Sequence, residues 1–422
     1  MRTEVLDHLD LARYIRPGDG VIFQQGCGEA LDLSEKFVAQ RASYSGAHVF
    51  FGSGFSRSFR PEHADHLRFS GIGGIGTLRK LASCGALDPI PCHISAVEGL
   101  LRERIIRADV VMLQVSEPNE RGEYSFGLVN DYVRAAMQQA RVVIAEVNRQ
   151  IPWAHCDRPL TASEITVAVP ADRAPLELPS APFGELERRI AHHLGDLIDD
   201  RATLQVGIGA VPEAIMGMLL DRRELGIHSG MIGDSVVELM ERGVVTNAHK
   251  GIDPGVTVSG VLFGTQRLYH FAHRNPQIRL CPTSYTHHIG TLSRLKKFVS
   301  INSALEVDLT GQVNAEAIGS DYIGAVGGQV DYVRAAAQSE GGVSIVALPA
   351  SGKQGDSKIV SRLSGPVTTA RSDVDVVATE HGIARLRGRS LRERIRALVA
   401  IAPPEHRDRL LREARQAWGE NV

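Results

Sequence analysis

The stretch FVSINSALEVDLTGQVNAEAIG, from Phe298, sets one carboxylate, Glu306, among apolar neighbours. If the stretch is extended, Leu305, Val307 and Leu309 point one way while Glu306 and Asp308 point the other, because side chains alternate along a strand. Thr310-Gly311 fits a two-residue hairpin loop, with Gln312 onward returning as the partner strand. A carboxylate on so rigid an element is well placed for nucleophilic attack. The same pattern also describes the solvated face of an antiparallel strand, where most exposed carboxylates are found.

Two glycine-rich turns supply the other half of such chemistry: Gly207-Ile208-Gly209 ahead of Pro212, and Gly327-Gly328 ahead of a helical stretch. Glycines let the backbone approach a ligand, and N–H groups at a helix start favour phosphate or a developing oxyanion. Ordinary strand-to-helix turns have the same composition. SGKQGDSK, around Lys353, resembles a phosphate loop but has Ala347 where the first glycine belongs and Gln354 where Ser or Thr is required. A lysine between glycines after a strand still suits a phosphate or pantetheine, and equally a plain surface loop. GIGGIG at Gly71–Gly76 follows HADHLRFS, a poor strand, and has the wrong spacing for a dinucleotide fingerprint, so it reads as a tight loop without NAD. The sixteen histidines include local pairs (His63 and His66, His192 and His193, His287 and His288) with no H-E-x-x-H or carboxylate set, so no metal is expected. No G-x-S-x-G elbow offers a serine nucleophile.

The elements that would position these groups alternate. VIFQQGCGEALDLSEKFV from Val21, DVVMLQVSEP from Asp109 and RVVIAEVNRQIP from Arg141 each run from an apolar strand toward a turn or helix. That alternation predicts an α/β fold with mostly parallel, buried sheets. ADRAPLELPSAPFG, from Ala171 to Gly184, reads as an inter-domain linker, which divides the chain into α/β domains at 1–178 and 185–422. Beyond it, ELERRIAHHLGDLIDD is a helix with Leu186, Ile190, Leu194 and Ile198 on one stripe. TLQVGIGAVPEAIMGMLL then gives strand, turn and helix, and VSGVLF, KKFVSINSALEVDL, VSIVALPA and VDVVATE are further strands.

Composition narrows the partners. With 47 basic against 49 acidic residues and 5% aromatics, the chain lacks the charge excess and stacking platforms that nucleic acid demands. Five scattered cysteines without a C-x-x-C pair imply neither disulfides nor zinc and fit a reducing cytoplasm. No apolar run reaches the roughly 20 residues that span a bilayer, and MRTEVLDHLDLARYIRPGDG has no signal-like core, so a soluble, unprocessed protein without a membrane partner is expected.

Taken in order, these segments resemble the acetyl-CoA hydrolase/transferase family, which includes 4-hydroxybutyrate, butyrate, succinate:acetate and itaconate CoA-transferases. GCGEAL at Gly26, VVMLQVSEPNERGEYSFG at Val110, DYVRAA at Asp131 and VVIAEVNRQIPWAHCD at Val142 are similar to its N-terminal domain. GIGAVPEAI, MIGDSVVELMERGVVTNAHK, VSINSALEVDLTGQVNAEAIG, GGQVDYVRAA and VVATEHGIARLRGRS are similar to its C-terminal blocks. The resemblance implies two α/β domains of the CoA-transferase type with the active site between them, a homodimer, and acyl-CoA and a small carboxylic acid as substrates, with no permanently bound cofactor. It also implies Glu306 as catalytic glutamate, an oxyanion hole from the backbone amides of Ile208 and Gly328, and CoA contacts at Gly207, Gly209, Gly327, Gly328 and Lys353. Two positions depart from the pattern: Tyr285-Thr286-His287-His288 replaces the common Tyr-Thr-Asn-Asp, and Glu117 stands where many relatives have a small or apolar residue. They leave the acceptor acid open.

The implied chemistry is ping-pong. Glu306 attacks the donor thioester to give a glutamyl anhydride, CoA returns to make a glutamyl-CoA thioester, and the acceptor reverses the sequence. The rivals are an acyl-CoA hydrolase of the same family and a non-catalytic metabolite-binding protein on the related sugar-phosphate isomerase fold.

Overall fold

The computed structural model describes residues 1–319 and 321–419. Two eight-stranded sheets dominate it. From one edge, the first runs Arg2–Thr3, Val167–Ala171, Val142–Asn148, Val110–Val115, Gly20–Phe23, His48–Phe51, Arg68–Gly71 and Leu87–Pro89, every neighbour parallel. The second runs Ile278–Leu280, Thr257–Leu262, Gly226–Ile232, Thr203–Gln205, Phe298–Ser303, Val343–Ala347, Val376–Thr379 and Gly382–Arg385, with only the last strand antiparallel. The expected α/β architecture with mostly parallel sheets is therefore present.

Both faces of the first sheet are covered, as parallel strands require. Val21, Val49, Phe51, Phe69, Val110 and Met112 bury on one side, and Ile22, Phe50, Val111, Leu113 and Val115 on the other. The core of the second sheet takes in Cys27, Leu128, Val129 and Ile151 from the first half, so apolar packing is continuous between the halves. Backbone hydrogen bonds reinforce that seam: Asn130 N–H donates to Gly260 O at 3.0 Å and Leu262 N–H to Leu128 O at 2.8 Å. Residues 172–184 form neither helix nor strand, and Leu178 N–H docks them onto Gly264 O at 2.8 Å.

Four local expectations need correction. Arg68–Gly71, within the segment read as a poor strand, is a full member of the first sheet because it is paired on both sides. The helix after residue 184 spans Glu185–Leu194 and buries Ile190 and Leu194 but leaves Leu186 exposed. KKFVSINSALEVDL is not one strand: Phe298–Ser303 belongs to the large sheet, whereas Glu306–Asp308 pairs with Val313–Asn314 and Ile359–Val360 in a separate three-stranded sheet. The chain does turn back here, but through Leu309, Thr310 and Gly311 rather than a two-residue loop, because Asp308 opposes Gln312; Asp308 also turns inward to cap the turn, accepting from the N–H groups of Thr310 at 2.9 Å and Gln312 at 3.0 Å.

Glu146, in the strand Val142–Asn148, holds the start of the helix Leu31–Ala39 by accepting from the N–H groups of Asp32 at 3.1 Å and Leu33 at 3.2 Å. Burial, and then the neighbouring Asp32 carboxylate, push its pKa up from 4.5 to about 8. The folded protein thus keeps a proton that the unfolded chain gives up, so this contribution to stability is complete below the unfolded value and is lost as pH rises toward 8. Glu146→Gln keeps an acceptor for the two N–H groups and has no charge to bury. It is expected to raise the melting temperature by about 4 °C at pH 8 and by less than about 1 °C at pH 5, read by calorimetry at both pH values.

Candidate functional site

In each sheet the chain winds outward in both directions from a starting strand. The reversals fall between Gly20–Phe23 and Val110–Val115 in the first sheet, and between Thr203–Gln205 and Phe298–Ser303 in the second. Ligands of open α/β sheets bind beyond the carboxyl ends of strands at such switch points. A cavity of about 240 Å³ lies there, lined by Gln25 and Ser53 from the first half and by Gly207, Ile208 and Asn302 from the second. Gly230 and Met231 form part of its lining, Gly327, Gly328 and Tyr332 close another side, and Phe55, Ile72, Ile75, Ile94 and Phe263 make it predominantly apolar.

Ile208 and Gly328, expected to act together, both line this cavity, as do Gly207 and Gly327. Among the described residues, neither the Ile208 nor the Gly328 N–H donates a hydrogen bond within the protein. Gly209 adopts φ +118° as the cap of the helix Ala210–Met218 and lies outside the lining. Lys353 is exposed on a turn closed by Gly352 N–H donating to Asp356 O at 2.7 Å, also outside it.

Glu306 is likewise outside this lining, four residues beyond Asn302, which belongs to it. Its Oε1 accepts from Ser364 N–H at 2.8 Å, Ser364 Oγ at 2.9 Å, Asn314 Nδ2 at 2.9 Å and Gly365 N–H at 3.2 Å. The break after Ser303 takes the chain from the large sheet to the three-stranded one that Glu306 opens.

The polar groups that do reach the cavity were not among the expected site residues. The Asp131 carboxylate accepts from the Gln25 side-chain amide and from Val133 N–H at 3.0 Å, and burial pushes its pKa up to about 6 against the pull of the Gln25 bond. His287 is buried, and that desolvation pushes its pKa down to about 3, so the ring is neutral. Its ring centroid lies 4.7 Å from that of Tyr332. Burial holds Tyr332 well above an ordinary phenol, and its hydroxyl has no partner among the described residues. One signal in the sequence pointed toward this group, the departure at His287. A Cβ at Gly230 would lie 2.7 Å from His287 Cε1 and 2.9 Å from the Tyr332 hydroxyl oxygen.

With fold and cavity defined, comparison with known proteins gives a consistent answer. Residues 3–176 match the acetyl-CoA hydrolase/transferase N-terminal domain and residues 264–414 its C-terminal domain. The chain is 38% identical over 403 residues to a 4-hydroxybutyrate coenzyme A transferase of Clostridium kluyveri, covering 94% of each chain. It superposes on RipA from Yersinia pestis with a TM-score of 0.93 at 30% identity, covering 99% of this chain and 97% of that one. A 4-hydroxybutyrate CoA-transferase from Porphyromonas gingivalis superposes with a TM-score of 0.84 at 33% identity, covering 99% and 98%. The chain belongs to the acetyl-CoA hydrolase/transferase family and is by class a CoA-transferase enzyme.

Proposed function

We propose that this enzyme moves CoA from a short-chain acyl-CoA, such as acetyl-CoA or succinyl-CoA, to a small carboxylic acid resembling 4-hydroxybutyrate, butyrate or itaconate, with residues 1–178 and 185–422 as its two domains. The observation that carries this reading is the pair of unengaged N–H groups, at Ile208 and Gly328, on one apolar cavity between facing switch points. Donors so placed polarise a thioester carbonyl and stabilise the tetrahedral oxyanion; losing one such donor typically costs about 10²–10³ in rate. The apolar walls keep water from the reacting carbonyl. Lys353, exposed and outside the cavity, suits the phosphate end of CoA rather than the reacting end.

The test is an assay over acids of two to five carbons with acetyl-CoA and succinyl-CoA as donors, following new acyl-CoA by chromatography. At least one acid is expected to give a new acyl-CoA, at least about tenfold faster than thiol is released without acceptor. Thiol release as fast as transfer would make the protein a hydrolase, and no new acyl-CoA from any acid would defeat the reading.

A further inference from the structure

The Ile208 and Gly328 N–H groups suit the carboxyl end of an acid, so the rest of the cavity has to receive its tail. Among the described residues, the lining carries one carboxylate, Asp131, and no lysine or arginine. A second carboxylate on the tail would be buried with no cation to pair it and with Asp131 as its one charged neighbour, which is costly. The apolar walls accept an alkyl chain. Two polar atoms on the same lining nevertheless lack a protein partner, one on His287 and one on Tyr332, and they define what else the tail has to bring.

The surroundings of His287 fix its tautomer. Thr286 Oγ donates its proton to Pro282 O at 3.2 Å, so it accepts from His287 Nδ1–H at 2.9 Å and leaves the lone pair on Nε2. Among the described residues, nothing donates to that lone pair. The Tyr332 hydroxyl is the complement: the residue is 3% exposed, and its proton has no acceptor. Gly230 keeps the space between the two open, since a Cβ there would lie 2.8 Å from Nε2 and 2.9 Å from the hydroxyl oxygen. An acceptor beside a donor matches a hydroxyl, which gives its proton to one and accepts from the other. A methyl end satisfies neither, and a carboxylate has no proton to give Nε2. Nε2 also stands beside Gly328, where an added Cβ would lie 2.7 Å from it, so a short acid reaches from the amide to the ring.

Resting on the CoA-transfer reading above, we propose that His287 and Tyr332 select the acid, which carries a hydroxyl on a short, uncharged tail and donates it to His287 Nε2 while accepting from the Tyr332 hydroxyl. Dicarboxylic acids are refused. The pair acts by binding and orientation alone, and no bond of the reaction is made or broken on either residue. The rule narrows the acids considered above to an order: a hydroxybutyrate ahead of butyrate, and butyrate ahead of succinate. It also gives the departure at Tyr285-Thr286-His287-His288 a task. An asparagine at 287, as in the common pattern, would present a donor as well as an acceptor, whereas His287 in this tautomer presents an acceptor only.

The experiment sets 3-hydroxybutyrate, 4-hydroxybutyrate, butyrate and succinate in competition for CoA from acetyl-CoA, using the full chain, His287→Phe and Tyr332→Phe, with the new acyl-CoA separated by chromatography and a melting curve for each protein. For the parent, one hydroxybutyrate is expected to have a kcat/KM at least about tenfold above butyrate and at least about 100-fold above succinate. Each variant is expected to cut the ratio of that hydroxybutyrate to butyrate about tenfold, a readout that a general loss of activity does not move. Butyrate or succinate used as well as both hydroxybutyrates would overturn the selection while leaving CoA transfer standing, and the parent ratios decide this even if a variant fails to fold. An unchanged ratio in both folded variants would overturn it too. So would a higher KM for acetyl-CoA with every acid, which would assign the pair to pantetheine. Transfer only to acids outside these four would defeat the selection alone, and no transfer to any acid of two to five carbons would defeat both readings.

Discussion

Gly328→Val lowers kcat/KM for CoA transfer by at least about 100-fold, the cost that a misplacement of about 1 Å at a reacting centre typically carries. Backbone strain is not the cause, because Gly328 has φ −95° and ψ 1°, which other residues adopt. The cause is contact: a Cβ there would lie 2.7 Å from Cδ2 and Nε2 of His287 and 3.1 Å from Cγ2 of Ile94. The imidazole cannot retreat, since Gly230 stands behind it and Tyr332 packs beside it. Either the ring swings into the cavity or the start of the helix Gln329–Gln338 recoils and takes the Gly328 N–H with it. Both outcomes spoil the alignment of that donor with the thioester oxygen. Steady-state kinetics with acetyl-CoA, beside a melting curve, checks the claim: a parent-like kcat/KM in a folded variant would mean that the position of this amide is unimportant.

The parts of the molecule that were legible in the chain are those decided locally. Val110–Val115 and Val142–Asn148 are apolar on both faces, the mark of a buried parallel strand, and they occupy such places in the first sheet. The glycine turns at Gly207 and Gly327 were legible for a related reason, because a strand or loop that ends in glycine before a helix has few other uses. What was not legible depends on distant partners. Arg68–Gly71 carries little apolar periodicity, and its strand state is imposed by His48–Phe51 and Leu87–Pro89 on either side. Phe298 to Asp308 reads as one run, and only the competing pairs Val313–Asn314 and Ile359–Val360 divide it and put Glu306 in a smaller sheet. His287, Gly230 and Tyr332 meet through packing of a short helix, a strand and a longer helix, and no spacing rule links the three positions.

The glycines of the GIGGIG loop, read as a tight turn, have a task the fold makes plain, and Gly73→Val is expected to cost transfer about 100-fold through it, although Gly73 is not in the cavity lining. Gly73 bridges Ala325, and a Cβ on it would stand 2.0 Å from Gly324 O and 2.8 Å from the Ala325 Cβ. That carbonyl is pinned, because it accepts Gly74 N–H at 3.0 Å while the N–H of the same residue donates to Glu316 O at 2.8 Å. The displacement therefore passes along the chain, from Gly324 into Gly327-Gly328, and moves the very N–H group that the cavity presents. Gly99 supplies the control. It sits inside the helix Ile94–Arg102 with nothing within 4 Å of an added Cβ, so Gly99→Ala leaves kcat/KM unchanged and raises stability by about 0.5–1 kcal/mol. If Gly73→Val and Gly99→Ala had the same kinetics, the contact between the GIGGIG loop and residues 324–325 would not position the amide. A loss confined to Gly73→Val, with the melting transition retained, would show that seam setting the geometry of the reacting site.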